Sequence, residues 1–400
     1  MNTNELHSLV WKRYIRMPYG HLLDCADTEG NAVIPTADEC RAFIPSILGW
    51  TTPIADCAMF GGLYLYALCE KYELCPSEQL KEELLTLING LLLLCDISEV
   101  DGFIARGVAD DGVTHYPCSS NDQTGPWILG LWKATHSSAI DESTNKEIKQ
   151  RLCRTLGGFY RNDWKFRNEL ENTHLGSFKS KDWRNCAKFL FAAAVSRELG
   201  VITEDEFSAY ATEKPEKSIF TRREVLSHGF SHDMANDPVL AQFWINVCAH
   251  LSVCELASLD PEGKAQYECG IALNTVTALA FVRKFDQYKP KDFPPYDHDW
   301  RKIVPELKRY STYEEILEEG KRANPLYSKV CPVRTHERLT LGQALFSAWV
   351  AVSGNNREAA EYANACLCEC IEKVDWNSVG QSYAFAAEAA LISYDAHWKR

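Results

Sequence analysis

Asp56 and Asp122 stand where chemistry can begin. Asp56 lies in TPIADCAMFGGLYLYAL and Asp122 in SSNDQTGPWILGLW, and each leads into an apolar, aromatic-rich helical pattern. Glycosidic cleavage needs such a pair, one carboxyl to exchange a proton with the leaving oxygen and one to activate water or attack. Burial and mutual repulsion push the two pKa values apart and so divide the labour. A carboxylate at a helix start also caps it or favours its dipole, and that structural duty is the competing reading for both residues.

Around this pair the chain supplies groups suited to holding a sugar. Gln123 and Trp127 follow Asp122 on the same helix, and the preceding loop carries Arg106, which can receive a carboxylate bidentately. In that loop Asp111-Gly112 is a turn signal, so Asp110 and Asp111 read as loop-shaping residues. The segment SHGFSHDMANDP places His228 and His232 four apart. On a helix that spacing suits a metal, but the glycine and serines point to a loop, with His228 as an acid/base candidate and His232 as a substrate contact. Asn246 and His250 share one helical face in FWINVCAHL, as a satisfied core pair or as a pocket floor. Tyr296 and Arg301 in YDHDWR, with Tyr383 in SYAFAAE, add a second acid/base candidate and two substrate contacts, while Asp299 and Arg301 suit an ordinary ion pair.

Other chemistries find less support. No glycine-rich phosphate loop and no G-x-S-x-G nucleophile elbow is present, and no cofactor is expected. The net charge of −13 argues against a nucleic-acid partner. The run LLTLINGLLLLC is about half the ~20 residues a membrane span needs, so no membrane association is expected. With no apolar core in MNTNELHSLVWKRYIRM, the sixteen cysteines read as reduced thiols of a cytoplasmic protein. In CLCEC only Cys366 and Cys370 align on a helix, which favours core thiols over a metal site.

These groups need elements to position them. Helical periodicity dominates and strand signals are nearly absent. It predicts helices over 4–16, 37–46, 53–73, 77–97, 122–136, 143–163, 182–199, 204–213, 236–259, 261–287, 337–353, 356–373 and 379–396. Thr52-Pro53, Asp260-Pro261, Asp141 and Ser143 look like helix starts. Small residues in AMFGG, FAAAV and FAAEAA let helices approach closely. Long connections over 98–121, 164–181, 218–235 and 288–336 concentrate His, Asp, Asn, Arg and aromatics, as site-building loops do. The pattern implies one all-α domain over 1–400, an (α/α)6-type barrel or toroid of helical hairpins with long loops at one mouth.

In DCAMFGGLYL and DQTGPWILGLW, whose aspartates are 66 residues apart, the chain resembles the six-hairpin glycosidase superfamily of (α/α)-barrel carbohydrate-active enzymes. Within it, the likeness is to unsaturated glucuronyl hydrolases and their rhamnogalacturonan-processing relatives. The match covers about thirty residues, and Ala55 stands where an acid would look natural in such a helix start. The resemblance implies a hydrolase of uronic-acid-containing oligosaccharides, with Asp122 as general acid/base and Asp56 as its partner. Helical-toroid polysaccharide lyases resemble the scaffold equally, and these use Tyr, His, Asn and Arg. A sugar epimerase on the same barrel and a non-catalytic helical scaffold are the other readings; the chain lacks the 34–47-residue period a solenoid would show.

Overall fold

The computed structural model describes residues 1–170, 174–236, 242–303 and 328–399, with Glu315, Glu318, Pro325 and Leu326. The described residues are mostly helical. Helices buried on every side alternate along the chain with amphipathic ones, as the two kinds of periodicity require.

The buried set comprises α3 (Cys57–Leu74), α5 (Asn121–Ala134), α7 (Trp183–Glu198), α11 (Phe243–Leu259), α14 (Gln343–Val352) and α16 (Ala384–Trp398). Every residue of α14, and every residue of α3 from Cys57 to Glu70, is buried. Packing passes from α3 to α5, then to α7, α11, α14 and α16, and from α16 back to α3.

Neighbours in this succession run parallel, because their contacts advance together from start to end. Between α3 and α5, Met59 meets Gln123 near the starts and Tyr66 meets Lys133 further along both. Between α5 and α7, Asn121 bonds Asn185 and Asp122 bonds Lys188. At the ends of α7 and α11, Arg197 donates to the Leu259 carbonyl. Phe243 and Cys254 of α11 reach Gln343 and Ser353 in turn. Phe346 and Trp349 of α14 meet Phe385 and Ser393, which in turn meet Phe60 and Glu70 of α3. The N-terminal ends of the six therefore face the same way.

The amphipathic helices pack against this set. They are α1 (Thr3–Arg13), α4 (Glu78–Asp96), α6 (Glu142–Arg161), α9 (Arg222–Ser227), α12 (Lys264–Leu279) and α15 (Arg357–Lys373). In α6 the buried Ile148, Leu152, Leu156 and Phe159 form one stripe on an otherwise polar helix. Asp141 caps it by accepting from Thr144 N–H.

Glycines set the spacing of α3 and α5. A Cβ at Gly62 would lie 2.2 Å from the Pro126 carbonyl oxygen, and one at Gly130 2.3 Å from that of Gly62. The two backbones touch only because neither residue has a side chain.

Several local expectations are corrected. Helix α3 starts at Cys57, not at Pro53, so Asp56 is its N-cap and not a residue one turn inside. Asp260 makes no cap bond; it pairs with Arg223 at 2.7 Å, and Pro261–Gly263 form a 3-10 turn before α12. The segment read as a loop around His228 is α9 and α10 (Ser231–Asn236), separated at Gly229, whose φ is +65. Two short antiparallel ladders, Ile15–Arg16 with His21–Leu22 and Lys165–Arg167 with His174–Ser177, were not expected. The helix expected over 337–353 is three pieces: α13 (Pro332–Glu337), a π turn over Arg338–Gly342, and α14. All sixteen cysteines are free thiols; Cys366 and Cys370 are buried while Cys368 is exposed. Among the described residues no helix is long and apolar enough to cross a membrane.

Candidate functional site

The start of α3 is capped without using the Asp56 carboxylate. Its orphan N–H groups find other acceptors: Ala58 donates to the Arg106 carbonyl at 3.1 Å and Met59 to Gln123 Oε1 at 3.2 Å. Asp56 makes no side-chain cap bond. Its Oδ1 instead accepts from Gln123 Nε2 at 2.6 Å and from Arg106 Nη1 at 3.1 Å. Gln123 is fully buried, and serving the Met59 amide with its oxygen forces its NH2 toward Asp56. The competing cap reading of Asp56 therefore loses its bond.

Asp122 repeats this arrangement on α5. Ser120 is the N-cap residue, and Asp122 Oδ1 accepts from Lys188 Nζ of α7 at 3.1 Å. The Lys188 side chain is 1% exposed, whereas that of Asp122 is 31% exposed. Gly125 makes room for the lysine stem, since a Cβ there would lie 2.6 Å from Lys188 Cδ. At Asp56 the contrast is the same: a 29% exposed carboxylate on a 5% exposed Arg106. Both acids thus rest on a buried cation and keep an open side, at the N-terminal ends of two parallel, touching helices.

Arg106 is not the free carboxylate receiver its sequence setting suggested. Besides Asp56 it donates to the Ala55 carbonyl at 2.8 Å and to Ser120 Oγ at 3.1 Å. It positions Asp56.

Sequence reasoning missed a third carboxyl, Asp24. It is buried, and its Oδ1 accepts from the Asp56 N–H at 2.9 Å. Burial, and then the neighbouring Asp56 charge, hold it well above the ordinary carboxyl range, against the pull of Arg334 and Arg106. Its backbone is pinned by bonds to Pro53 and Ser382. Nothing in the stretch HLLDCAD marks it, because its partners are set by tertiary contact.

The π turn adds Arg338, also missed, whose guanidinium lies 5.6 Å from the Trp244 ring centroid. Burial lowers its pKa, against the pull of Tyr383 and Asp56 and with the push of Arg334. Tyr383 is buried beside Gly342, and burial raises its hydroxyl despite Arg338 and Arg334. Glu337, raised to about 8 by burial, accepts from the Gly380 and Gln381 N–H groups at 3.0 and 2.9 Å. Gln381 then donates to the Tyr296 hydroxyl at 2.6 Å. This chain of contacts sets Tyr296 against the loop that enters α16, the loop that carries Tyr383.

Other candidates lie elsewhere. Trp127 is fully buried and donates to the Leu91 carbonyl, so it is core and not a sugar wall. Asn246 and His250 are fully buried; burial lowers His250 to about 3, and Asn274 Nδ2 donates to its Nδ1 at 3.2 Å. His228 stacks edge-on with Phe220, 4.5 Å between ring centroids, in an open crevice shared with Ser231 and Leu273. The His232 side chain lies outside the described residues. Arg301 pairs with Glu39 through bonds of 2.5 and 2.7 Å and not with Asp299.

Comparison with family models, curated proteins and solved structures gives no match.

Proposed function

We propose that the chain is a carbohydrate-active enzyme built as an (α/α)6 toroid, and that it hydrolyses a glycosidic bond in a uronic-acid-containing oligosaccharide. The packing that passes through six parallel helices and returns to the first supports the toroid. One observation carries the chemistry: Asp56 and Asp122, each seated on a buried cation, open at the same end of neighbouring helices.

In this reading Asp122 exchanges the proton with the sugar or with water, and Lys188 holds it in place from below. Asp56, held by Gln123 and Arg106, is its partner. A preorganised carboxylate costs no reorientation when charge develops. On an unsaturated uronide the same pair would protonate the double bond and guide water to it.

The lyase reading keeps one specific support, the buried Tyr383 beside Arg338 and Arg334. A single assay separates the two. Oligosaccharides ending in an unsaturated uronate lose their near-ultraviolet absorbance under a hydrolase, and saturated substrates gain it under a lyase. Asp122→Asn is expected to abolish the loss of absorbance with unchanged melting. Normal turnover by that variant would remove Asp122 from the mechanism.

A further inference from the structure

Arg338 is a cation left without an acceptor. Among the described residues its guanidinium makes no ion pair and no hydrogen bond, and its Nε is buried without a partner. The other arginines of this region are committed. Arg106 has three acceptors, Arg13 donates to the carbonyls of Asp27, Ala26, Trp376 and Asn377, and Arg16 donates to those of Val108 and Ala109. Arg338 is half-buried, and partial withdrawal of a charge from water without a partner is unfavourable, so such a group is suited to a ligand that supplies the missing acceptor.

Its position says which ligand. Arg338 belongs to the π turn that leads into α14, so it stands at the same end of the helices as Asp56 and Asp122. Insertions of this kind recur at functional sites. The indole of Trp244 lies 5.6 Å from the guanidinium carbon, a cation–π contact that uses none of its N–H donors, and a guanidinium's planar fork suits a planar anion. Arg334, Tyr383 and Asp56 are the groups that act on its charge, and the only anion among them, Asp56, is already bonded to Arg106 and Gln123.

We infer that Arg338, presented by Trp244, binds the carboxylate of an acidic sugar and so selects uronic-acid substrates over neutral ones. The identity of the anion as a sugar acid rests on the glycosidase reading; the unpaired guanidinium does not. The role that Arg106 seemed to offer thus passes to a residue at the start of α14, two steps from α3 in the packing succession.

The test is calorimetric titration of the whole chain with D-glucuronate and with its methyl ester, which keeps the ring and hydroxyls but removes the charge. The wild type should bind the acid about tenfold or more tightly than the ester, the scale of a charge-assisted pair. Arg338→Met should erase that difference while leaving ester affinity within about twofold. Arg338→Lys, which keeps the charge without the fork, should fall between them. Equal binding of acid and ester by the wild type, or a difference that survives Arg338→Met, overturns the inference. If Arg338→Met does not fold, the wild-type comparison and Arg338→Lys decide. Asp122→Asn should retain the full preference for the acid. Should that variant also turn over normally, the glycosidase reading fails and the carboxylate site stands.

Discussion

Gln123 Nε2 donates to Asp56 Oδ1 across 2.6 Å, while the oxygen of the same amide accepts from the Met59 N–H. One buried side chain thus ties the second helix of the site to the first. It also fixes Asp56 against the residue adjoining Asp122. The carboxylate pair is therefore held by tertiary bonds, and its members are not interchangeable with ordinary helix caps.

Gln123→Leu removes both bonds. A buried Met59 N–H left without an acceptor should cost about 1–3 kcal/mol, measured by urea unfolding. Turnover should fall more than tenfold, because about 1.4 kcal/mol of misplaced transition-state contact is a factor of ten. A stable and fully active variant would show that the tie is dispensable.

Gly62→Ala places a methyl group against the backbone of α5, at 2.2 Å from the Pro126 oxygen. Backbone cannot rotate away, so overpacking should destabilise by roughly 1–3 kcal/mol and disturb the site. Gly61→Ala is the control. Its Cβ would meet only Leu91 Cδ2 at 3.3 Å, and a loss below about 1 kcal/mol is expected because that side chain can yield. Equal melting temperatures for the two variants would contradict the close approach.

Asp24→Asn should fold normally and be at least as stable as the wild type near neutral pH. Burial and Asp56 hold the acid above its ordinary value, so folding favours the neutral form, and the wild type loses stability as pH rises above the ordinary carboxyl range. Asparagine is neutral throughout and keeps an oxygen for the Asp56 N–H. Asp24→Leu lacks that acceptor and should lose about 1–3 kcal/mol. Chemical denaturation at several pH values checks both; a marked loss in Asp24→Asn at neutral pH would show that the charge is needed.

Further along the inner helices, His7 bonds Glu388 at 2.9 Å and Glu83 at 2.8 Å. Burial alone would lower its pKa, but these carboxylates outweigh burial and raise it to about 9. Because the folded value lies above the unfolded one, the stabilisation is complete below about pH 6.5 and is lost as pH rises through about 9. On the order of 3 kcal/mol is at stake. His7→Gln should flatten that part of the profile of unfolding free energy against pH, and an unchanged slope would dissociate His7 from it.

Much of this molecule was legible before any coordinates. The stripe of Ile148, Leu152, Leu156 and Phe159 specifies an amphipathic helix, and Asp141 marks its start, because both depend on residues within a few positions of one another. The small residues of AMFGG pointed to close helix contact for the same local reason, the missing side chain. Acidic residues at the mouths of two apolar helices were visible as types and spacing. Burial within an apolar helix was not: α5 is apolar on most sides, so its pattern did not say that Trp127 faces the core while Asp122 keeps an open side.

What remained hidden depends on pairings across long stretches of chain. Asp24 reaches Asp56 over 32 residues, Gln123 reaches it over 67, and Lys188 reaches Asp122 over 66. Periodicity carries no information about such separations. Only packing decided that Arg106 would be consumed in holding Asp56 and that Arg338 would be left open. The sequence by itself determined the helices and the residues at their ends. The tertiary structure decided which of those residues meet, because burial and hydrogen-bond satisfaction are properties of neighbours in space.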